Sequence, residues 1–128
     1  MSIVNFEEYT SELSPDEIAA AEIITARLKS NVGKKMARTN KRIADVMKEH
    51  YGIKLSGARM RKIINWIRIK GLVPNLIATS QGYYVSQDKE EIEKYIYSLR
   101  QRARAILAVG AAMEDNLTHN NSLNMKTT

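Results

Sequence analysis

The segment KLSGARMRKIINWIRIKG, residues 54–71, constrains the fold more than any other stretch, because its apolar residues recur at helical spacing. On a helical wheel of 100° per residue, Ile63, Ile64 and Ile67 fall within about 60° of Met60. These four residues therefore form one stripe. A stripe this narrow predicts a helix that buries one face and exposes the other. Its N-cap is predicted at Ser56 and its last residue near Lys70.

A first helix is predicted well before this segment, at SPDE, residues 14–17. Ser14 suits the N-cap, Pro15 the first helical position, and Glu17 the third residue after the cap. Its expected apolar face consists of several alanines together with Ile18, Ile24 and Leu28. The sequence SNVG, residues 30–33, predicts its end.

A second helix is predicted between these two. The stretch KKMART, residues 34–39, favours a short extended segment, and Thr39 is a candidate N-cap for a helix through about Glu49. The side chains expected to face inward are Ile43, Ala44, Val46 and Met47. Tyr51 and Gly52 are predicted to end it.

The pattern changes after Gly71, where LVPNLIATSQGYYVS contains two β-prone runs joined by TSQG. This predicts a hairpin whose turn uses Gly82, with Pro74 at an edge or at the outset of the first strand. The expected fold is mainly α with a small β-hairpin. Its expected parts are an N-terminal arm (1–13), a compact domain (14–87), a long helix (88–117) and a disordered tail (118–128).

Positive charge is confined to the middle of the chain. Residues 34–70 hold twelve Lys or Arg against Asp45 and Glu49, whereas residues 1–33 carry a net charge of −4 and residues 71–128 are neutral. The overall charge of +6 therefore comes from the part that holds the second and third predicted helices. This segregation is typical of a protein that binds a polyanion, although a basic cluster can also be a solvated surface.

Three helices followed by a hairpin is the order of a winged helix-turn-helix. From Thr39 to Val85, a little over a third of the chain, the sequence resembles that family of bacterial and phage regulators, which includes the DNA-binding domain of the biotin-operon repressor. The resemblance is carried by LSGARMRKIINWIRIKG and by the hairpin that ends in GYYV. It implies that the helix beginning after Ser56 is the recognition helix, and it implies double-stranded DNA as the partner.

The major groove of DNA admits one helix, whose N-terminal half generally reads the bases. The base-reading candidates, with small Gly57 beside them, are Ser56, Ala58, Arg59, Arg61, Lys62 and Asn65. The phosphate-binding candidates are Lys34, Lys35, Arg38, Lys41, Arg42, Lys54 and Arg68. For Asn65 a solvated helix position is an equal alternative, and Trp66 suits packing better than base stacking.

The expected wing consists of Ser80, Gln81 and Gly82. It has no Lys or Arg at its tip and so departs from the common basic wing. Contact between Ser80 or Gln81 and phosphate is therefore the alternative to insertion into a minor groove.

The long C-terminal helix carries an apolar seam with the alternating spacing of four and three residues that is typical of a coiled coil. The seam residues are Ile92, Ile96, Leu99, Ala103, Ile106, Gly110, Met113 and Leu117. Packing against the first helix of the same chain is one alternative. The length of the helix favours the other, a homodimer that presents two recognition helices to half-sites about one duplex turn, roughly 34 Å, apart or a multiple of it.

Catalytic and metal-binding patterns are missing from the sequence. His50 and His119 are far apart and belong to no metal-ligand or nucleophile motif, and the absence of Cys excludes thiolate chemistry. We therefore expect no enzyme, no metal and no cofactor. The acidic N-terminus does not resemble a signal peptide and no run of eighteen apolar residues occurs, so a soluble cytoplasmic protein is expected.

Three functions remain open at this point. The first is a small transcription regulator, repressor-like, that binds a specific duplex sequence. The second is a replication or DNA-packaging accessory protein of a phage or plasmid that assembles on DNA. The third is a protein-interaction module, because winged helices also serve that purpose and a fold does not determine a function.

Overall fold

A computed structural model describes residues 12–127, with side chains as far as residue 120. The helices are α1 (Pro15–Lys29), α2 (Asn40–Tyr51), α3 (Gly57–Lys70) and α4 (Lys89–Thr127), and the strands are β1 (Leu76–Thr79) and β2 (Gly82–Val85). The predicted class, mainly α with a β-hairpin and a long C-terminal helix, is confirmed. The chain divides into two compact units, the first ending at Lys89 and the second beginning at Glu90.

α1 begins as its capping signal predicts. The Ser14 hydroxyl accepts a hydrogen bond from the Glu17 amide (3.2 Å), and the Glu17 carboxylate accepts one from the Ser14 amide (2.9 Å). The buried face of the helix consists of Glu17, Ala20, Ala21, Ile24 and Leu28. Ile18, expected on this face, is instead 40% exposed, because Glu17 occupies the inward position at that level of the helix.

α2 and α3 also begin and end at the predicted residues. The side chain of Thr39 caps α2 by accepting from the Arg42 amide (3.1 Å), and that of Ser56 caps α3 by accepting from the Arg59 amide (3.2 Å). A left-handed glycine ends each helix, Gly52 after α2 and Gly71 after α3. The caps satisfy backbone groups that a helix end would otherwise leave unpaired.

The hydrophobic core lies between α1, α2 and α3 and extends to the hairpin. The predicted stripe of α3 forms its centre, since Met60, Ile63, Ile64 and Ile67 are all almost fully buried. Met47 from α2 and Val73 and Leu76 from the hairpin region complete this side. Leu13, assigned from the sequence to an N-terminal arm, instead belongs to the core. Residues 1–11 of the predicted arm lie outside the described residues.

The hairpin joins antiparallel strands through a two-residue turn. Leu76 pairs with Val85 and Thr79 with Gly82, which leaves Ser80 and Gln81 at the tip. The Thr79 hydroxyl accepts from the Gln81 amide (3.1 Å) and donates to the Gly82 carbonyl (3.2 Å), so it fixes the turn. Pro74 precedes β1, in agreement with the expectation that it would not lie inside a strand.

The segment before α2 pairs with the free side of β2. Arg38 and Tyr83 exchange two backbone hydrogen bonds of 3.0 and 2.8 Å, and the Val85 amide donates to the Asn31 carbonyl (2.7 Å). The predicted extended stretch is therefore present only at its end, since Lys34–Met36 forms a 3-10 turn. Gly82, with φ of 117°, lies against this segment, and a Cβ there would overlap the backbone of Arg38.

α4 is longer than predicted. It extends to Thr127, so the tail expected to be disordered from residue 118 is helical, and only Thr128 of that tail lies outside the described residues. After Gly110 the sequence has no Pro or Gly, and its Asn, Ser and Thr residues each disfavour a helix by only about 0.7 kcal/mol or less. A polar composition therefore does not end this helix.

Candidate nucleic-acid interface

The outward face of α3 has small residues at its start. Gly57 and Ala58 are exposed in the first turn, and Ala58 lies on the side away from the buried stripe. Ser56, a base-reading candidate, uses its hydroxyl as the N-cap acceptor. A backbone that begins with small side chains can approach a ligand surface closely, while longer side chains must flank the contact.

Two cations of α3, Arg59 and Lys62, are paired with one buried carboxylate, that of Glu17. Lys62 Nζ lies 3.0 Å from Oε1 of Glu17, and Arg59 Nε lies 3.3 Å from Oε2. The Glu17 side chain is only 7% exposed, whereas those of Arg59 and Lys62 are 44% and 24% exposed. This flank of α3 therefore faces α1, and its charge is partly neutralised there.

The same contacts keep Glu17 ionised. The Ser14 amide, followed by the Lys62 and Arg59 side chains, lowers the pKa of Glu17 to about 2, against the opposite effect of burial. The capping pattern SPDE predicts only the cap role of Glu17. The signal that it had a second role is its place in the spacing 17, 20, 21, 24 and 28, which puts a charged residue on a buried face.

Arg61 lies on the opposite flank of α3. Its side chain is half-buried and folds over the first turn, with one terminal nitrogen 3.3 Å from where a Cβ of Gly57 would be. Its Nε is buried and has no hydrogen-bond partner among the described residues. Asn65 is half-buried and already engaged in an interaction, and Trp66 packs against the core, as the packing interpretation of its position predicts.

The phosphate-binding candidates divide into two groups. The exposed cations are Lys34, Lys35, Lys41, Arg42 and Lys54, and none of them has an ion-pair partner in the described part of the chain. Arg38 and Arg68 are half-buried. The Arg38 guanidinium donates to the carbonyls of Met36 (3.2 Å) and Ala37 (3.1 Å), and Arg68 is also engaged in an interaction.

The tip of the hairpin lies beside the first turn of α2. Ser80 and Gln81 are exposed, whereas Gly82 is buried. A shallow cleft of about 290 Å³ separates the two elements, and its lining includes Lys41 and Ser80. Asn40 also lines it, and its Oδ1 is buried without a hydrogen-bond partner in residues 12–120. The fold thus brings the predicted wing and two phosphate-binding candidates, Lys41 and Arg42, to one region.

A larger cleft of about 470 Å³ lies between α1 and α2. Ile24, Leu28 and Met47 contribute apolar walls, and Arg27, Arg38 and Arg42 contribute cations. No Asp, Glu or His lines it, so it offers no carboxylate or imidazole for acid-base chemistry. Among the described residues, no group of three or more His, Asp or Glu is arranged to hold a metal ion.

Most of the predicted seam of α4 is exposed. Leu99 and Ile106 are about 40% exposed, and Met113 and Leu117 are more exposed still. Ile96 and Ala103 are exposed, while Ile92 and Gly110 are intermediate. Beside the seam, Leu107 and Val109 expose 71% and 60% of their surface. No helix in the described part of the chain has both the length and the apolar content to cross a membrane.

Comparison of the chain with protein-family models, with curated proteins and with solved structures finds no significant match.

Proposed function

We propose that this chain binds double-stranded DNA as a winged helix-turn-helix protein and acts as a small, repressor-like transcription regulator in a bacterial cytoplasm. The observation that carries the proposal is the set of five exposed cations, Lys34, Lys35, Lys41, Arg42 and Lys54, which have no carboxylate partner among the described residues. Unneutralised cations concentrated in one stretch attract a polyanion.

In this proposal α3 is the recognition helix. Gly57 and Ala58 let its first turn approach the base edges, and Arg61, whose Nε has no hydrogen-bond partner among the described residues, reaches a guanine from the flank opposite Arg59. Arg59 and Lys62 act differently from the sequence-based expectation. Because Glu17 binds both, they contribute contacts at the edge of the groove rather than the principal base contact.

The first turn of α2 and the wing bind the phosphate backbone. Helix N-termini offer backbone amides and a favourable dipole to phosphate, and Lys41 and Arg42 add two charges at the start of α2. Ser80 and Gln81 at the adjacent hairpin tip are uncharged, so they contribute hydrogen bonds rather than attraction over distance. These contacts position α3 without reading sequence.

We also propose that the protein is a homodimer through α4. The exposed seam from Ile96 to Leu117 supports it, since a helix gains most of its stability in water by burying an apolar stripe. Two copies then give two recognition helices, the usual arrangement for reading a site of twofold symmetry.

Duplex binding measured at several salt concentrations tests the principal proposal. Log K should fall linearly with log salt, with a slope of about −0.9 per phosphate neutralised. An unchanged affinity across 50 to 200 mM salt, or no binding at all, would remove DNA as the partner. Selection of bound sequences from random duplexes then separates the two DNA-binding roles, because a regulator yields a defined motif and a protein that merely assembles on DNA does not.

A further inference from the structure

We infer that the two α4 helices of the dimer run antiparallel, with Ile106 of one copy opposite Gly110 of the other. This inference rests on the homodimer proposed above and adds its direction and register. It follows from the order of large, small and charged residues along a single helix, so it needs no assumption about the rest of the chain.

Side-chain size is the first argument. In a parallel, in-register pair each seam residue meets its own copy, so Ala103 would face Ala103 and Gly110 would face Gly110. These two layers of small residues, with only the Ile106 layer between them, would leave gaps in the middle of the interface, where unfilled space is destabilising. Reversing one helix instead sets Ala103 opposite Met113 and Gly110 opposite Ile106, so each small residue receives a large one.

Charge is the second argument. In the reversed pair Arg100 and Glu114 flank the seam at the same level on opposite copies, and the twofold axis repeats the contact. Neither side chain forms an ion pair with the residues that the structure describes. In a parallel pair the flanking neighbours would be Tyr95 for Arg100 and Val109 for Glu114, so neither charge would meet an opposite one.

Leu107 and Val109 provide the third argument. They lie on the two sides of the seam and are 71% and 60% exposed. In the antiparallel pair both lie next to the twofold axis, so Leu107 contacts Leu107 of the other copy and Val109 contacts Val109. A parallel pair would instead set them beside Arg102 and Glu114. Of the two directions, only the antiparallel one gives Leu107 and Val109 apolar partners.

The same residues determine the register. Moving one helix by a heptad towards the start of α4 would keep large-to-small packing, with Leu99 opposite Gly110, but would put Glu93 opposite Glu114. Moving it a heptad the other way would separate Arg100 from Glu114. Only the register centred between Ile106 and Gly110 combines large-to-small packing with opposite charges.

The direction of the pair determines how far apart the N-terminal ends of the two α4 helices lie. In this register Glu90 is level with residue 126 of the other copy, so the two Glu90 residues lie about 54 Å apart at a rise of 1.5 Å per residue. A parallel pair would bring them within about 10 Å, the usual separation of packed helix axes. The two arrangements are therefore easily distinguished.

The chain has no Cys, so single cysteines can report the direction directly. We would prepare full-length Leu99→Cys and Leu117→Cys proteins, with tags of different mass, and oxidise each alone and after mixing. The antiparallel pair should give a disulfide between position 99 of one copy and 117 of the other, and little self-linked product, because a disulfide requires Cα atoms roughly 6 Å apart. Self-linked dimers from each single variant, without the mixed product, would overturn the antiparallel inference and leave the dimer intact.

Charge exchange provides an independent measurement that needs no cysteine. Arg100→Glu and Glu114→Arg should each weaken the dimer by roughly tenfold in Kd, since each puts like charges together at two symmetric places. The double variant restores opposite charges between copies and should regain most of the loss. If the double variant dimerises no more tightly than either single variant, the antiparallel register is contradicted.

The oligomeric state of the unmodified protein separates this inference from the DNA proposal. A monomer at tens of micromolar would reject the dimer and this inference together, while the DNA proposal would still be decided by the salt experiment.

Discussion

Lys62 Nζ on α3 lies 3.0 Å from Oε1 of Glu17 on α1, a contact between residues 45 positions apart in the sequence. Glu17 also binds Arg59 and caps its own helix through the Ser14 amide. One buried carboxylate therefore connects the start of α1 with two cations of the proposed recognition helix. Both the orientation of α3 and the unneutralised charge on this flank of it depend on this residue.

Replacing Glu17 with Gln should make the stability of the protein less sensitive to acid. The pKa of Glu17 is lowered from 4.5 to about 2, so its ionised form stabilises the folded state above pH 4.5, and this contribution is lost as the pH falls towards 2. Allowing for solvent screening at Arg59, we expect the unmodified protein to be more stable by about 2 kcal/mol at neutral pH. Urea unfolding between pH 2 and 7 measures the difference, which should close near pH 2.

Glu22→Gln is the matched control, because Glu22 is exposed on the same helix. It should change the unfolding free energy by no more than about 0.5 kcal/mol at any pH. If Glu17→Gln gave the same small effect, the contacts with Lys62 and Arg59 would contribute nothing to stability.

Arg61→Ala and Lys41→Ala should affect DNA binding in different ways. If Arg61 makes a bidentate base contact, its removal costs roughly 1 to 3 kcal/mol on a selected site and much less on random duplex. Loss of Lys41, a proposed phosphate contact, should weaken both complexes equally and reduce the salt slope by about one. Fluorescence anisotropy with a selected and a scrambled duplex measures both. Equal losses for Arg61→Ala on the two duplexes would make Arg61 a phosphate contact instead.

Gly82→Ala should strongly destabilise the first unit of the chain. An added Cβ would overlap the Arg38 backbone, and the positive φ of 117° disfavours any L side chain. We expect a loss of roughly 3 kcal/mol or more, from clash and backbone strain together. Gly52→Ala separates these two causes, because Gly52 has a φ of 66° and nothing within 4 Å of the added atom. It should cost only about 1 to 2 kcal/mol, and equal losses for both variants would show that the close approach at Gly82 is unimportant.

If the protein is the proposed dimer, Ile106→Glu should give a folded monomer that binds DNA weakly, because it puts a charge in the centre of the seam. Light scattering at tens of micromolar gives the mass, and circular dichroism verifies that the helices remain. Ala108→Glu is the control, since residue 108 lies on the side of the helix opposite the seam, and it should stay dimeric. A dimeric Ile106→Glu protein would mean that the seam is assigned to the wrong face.

Sequence patterns predicted the elements of this fold where the deciding interactions are local. Ser14, Thr39 and Ser56 each cap a helix as expected, since a cap involves residues only three positions apart. The stripe of α3 was predicted because helical periodicity determines which side chains share a face. TSQG predicted the hairpin in the same way, but its turn consists of Ser80 and Gln81, and Gly82, expected in the turn, begins β2.

The errors arose where distant segments interact or where a signal is weak. Nothing near Glu17 indicates that it meets Arg59 and Lys62 more than forty residues later, so both cations were assigned to base reading alone. The pairing of Arg38 with Tyr83 was missed for the same reason. The end of α4 was predicted too early because polar composition is weak evidence against a helix that no Pro or Gly interrupts.

The exchange of backbone hydrogen bonds between Arg38 and Tyr83 also determines how this domain can fold. It closes a loop of the chain that contains all of α2 and α3, and the entropy of closing that loop opposes folding before the contact stabilises it. The helices can form locally and early, whereas this pairing requires both ends of the loop to meet and should form late, at the rate-limiting step. In hydrogen-exchange experiments the Arg38 and Tyr83 amides should therefore become protected together, after those of α2.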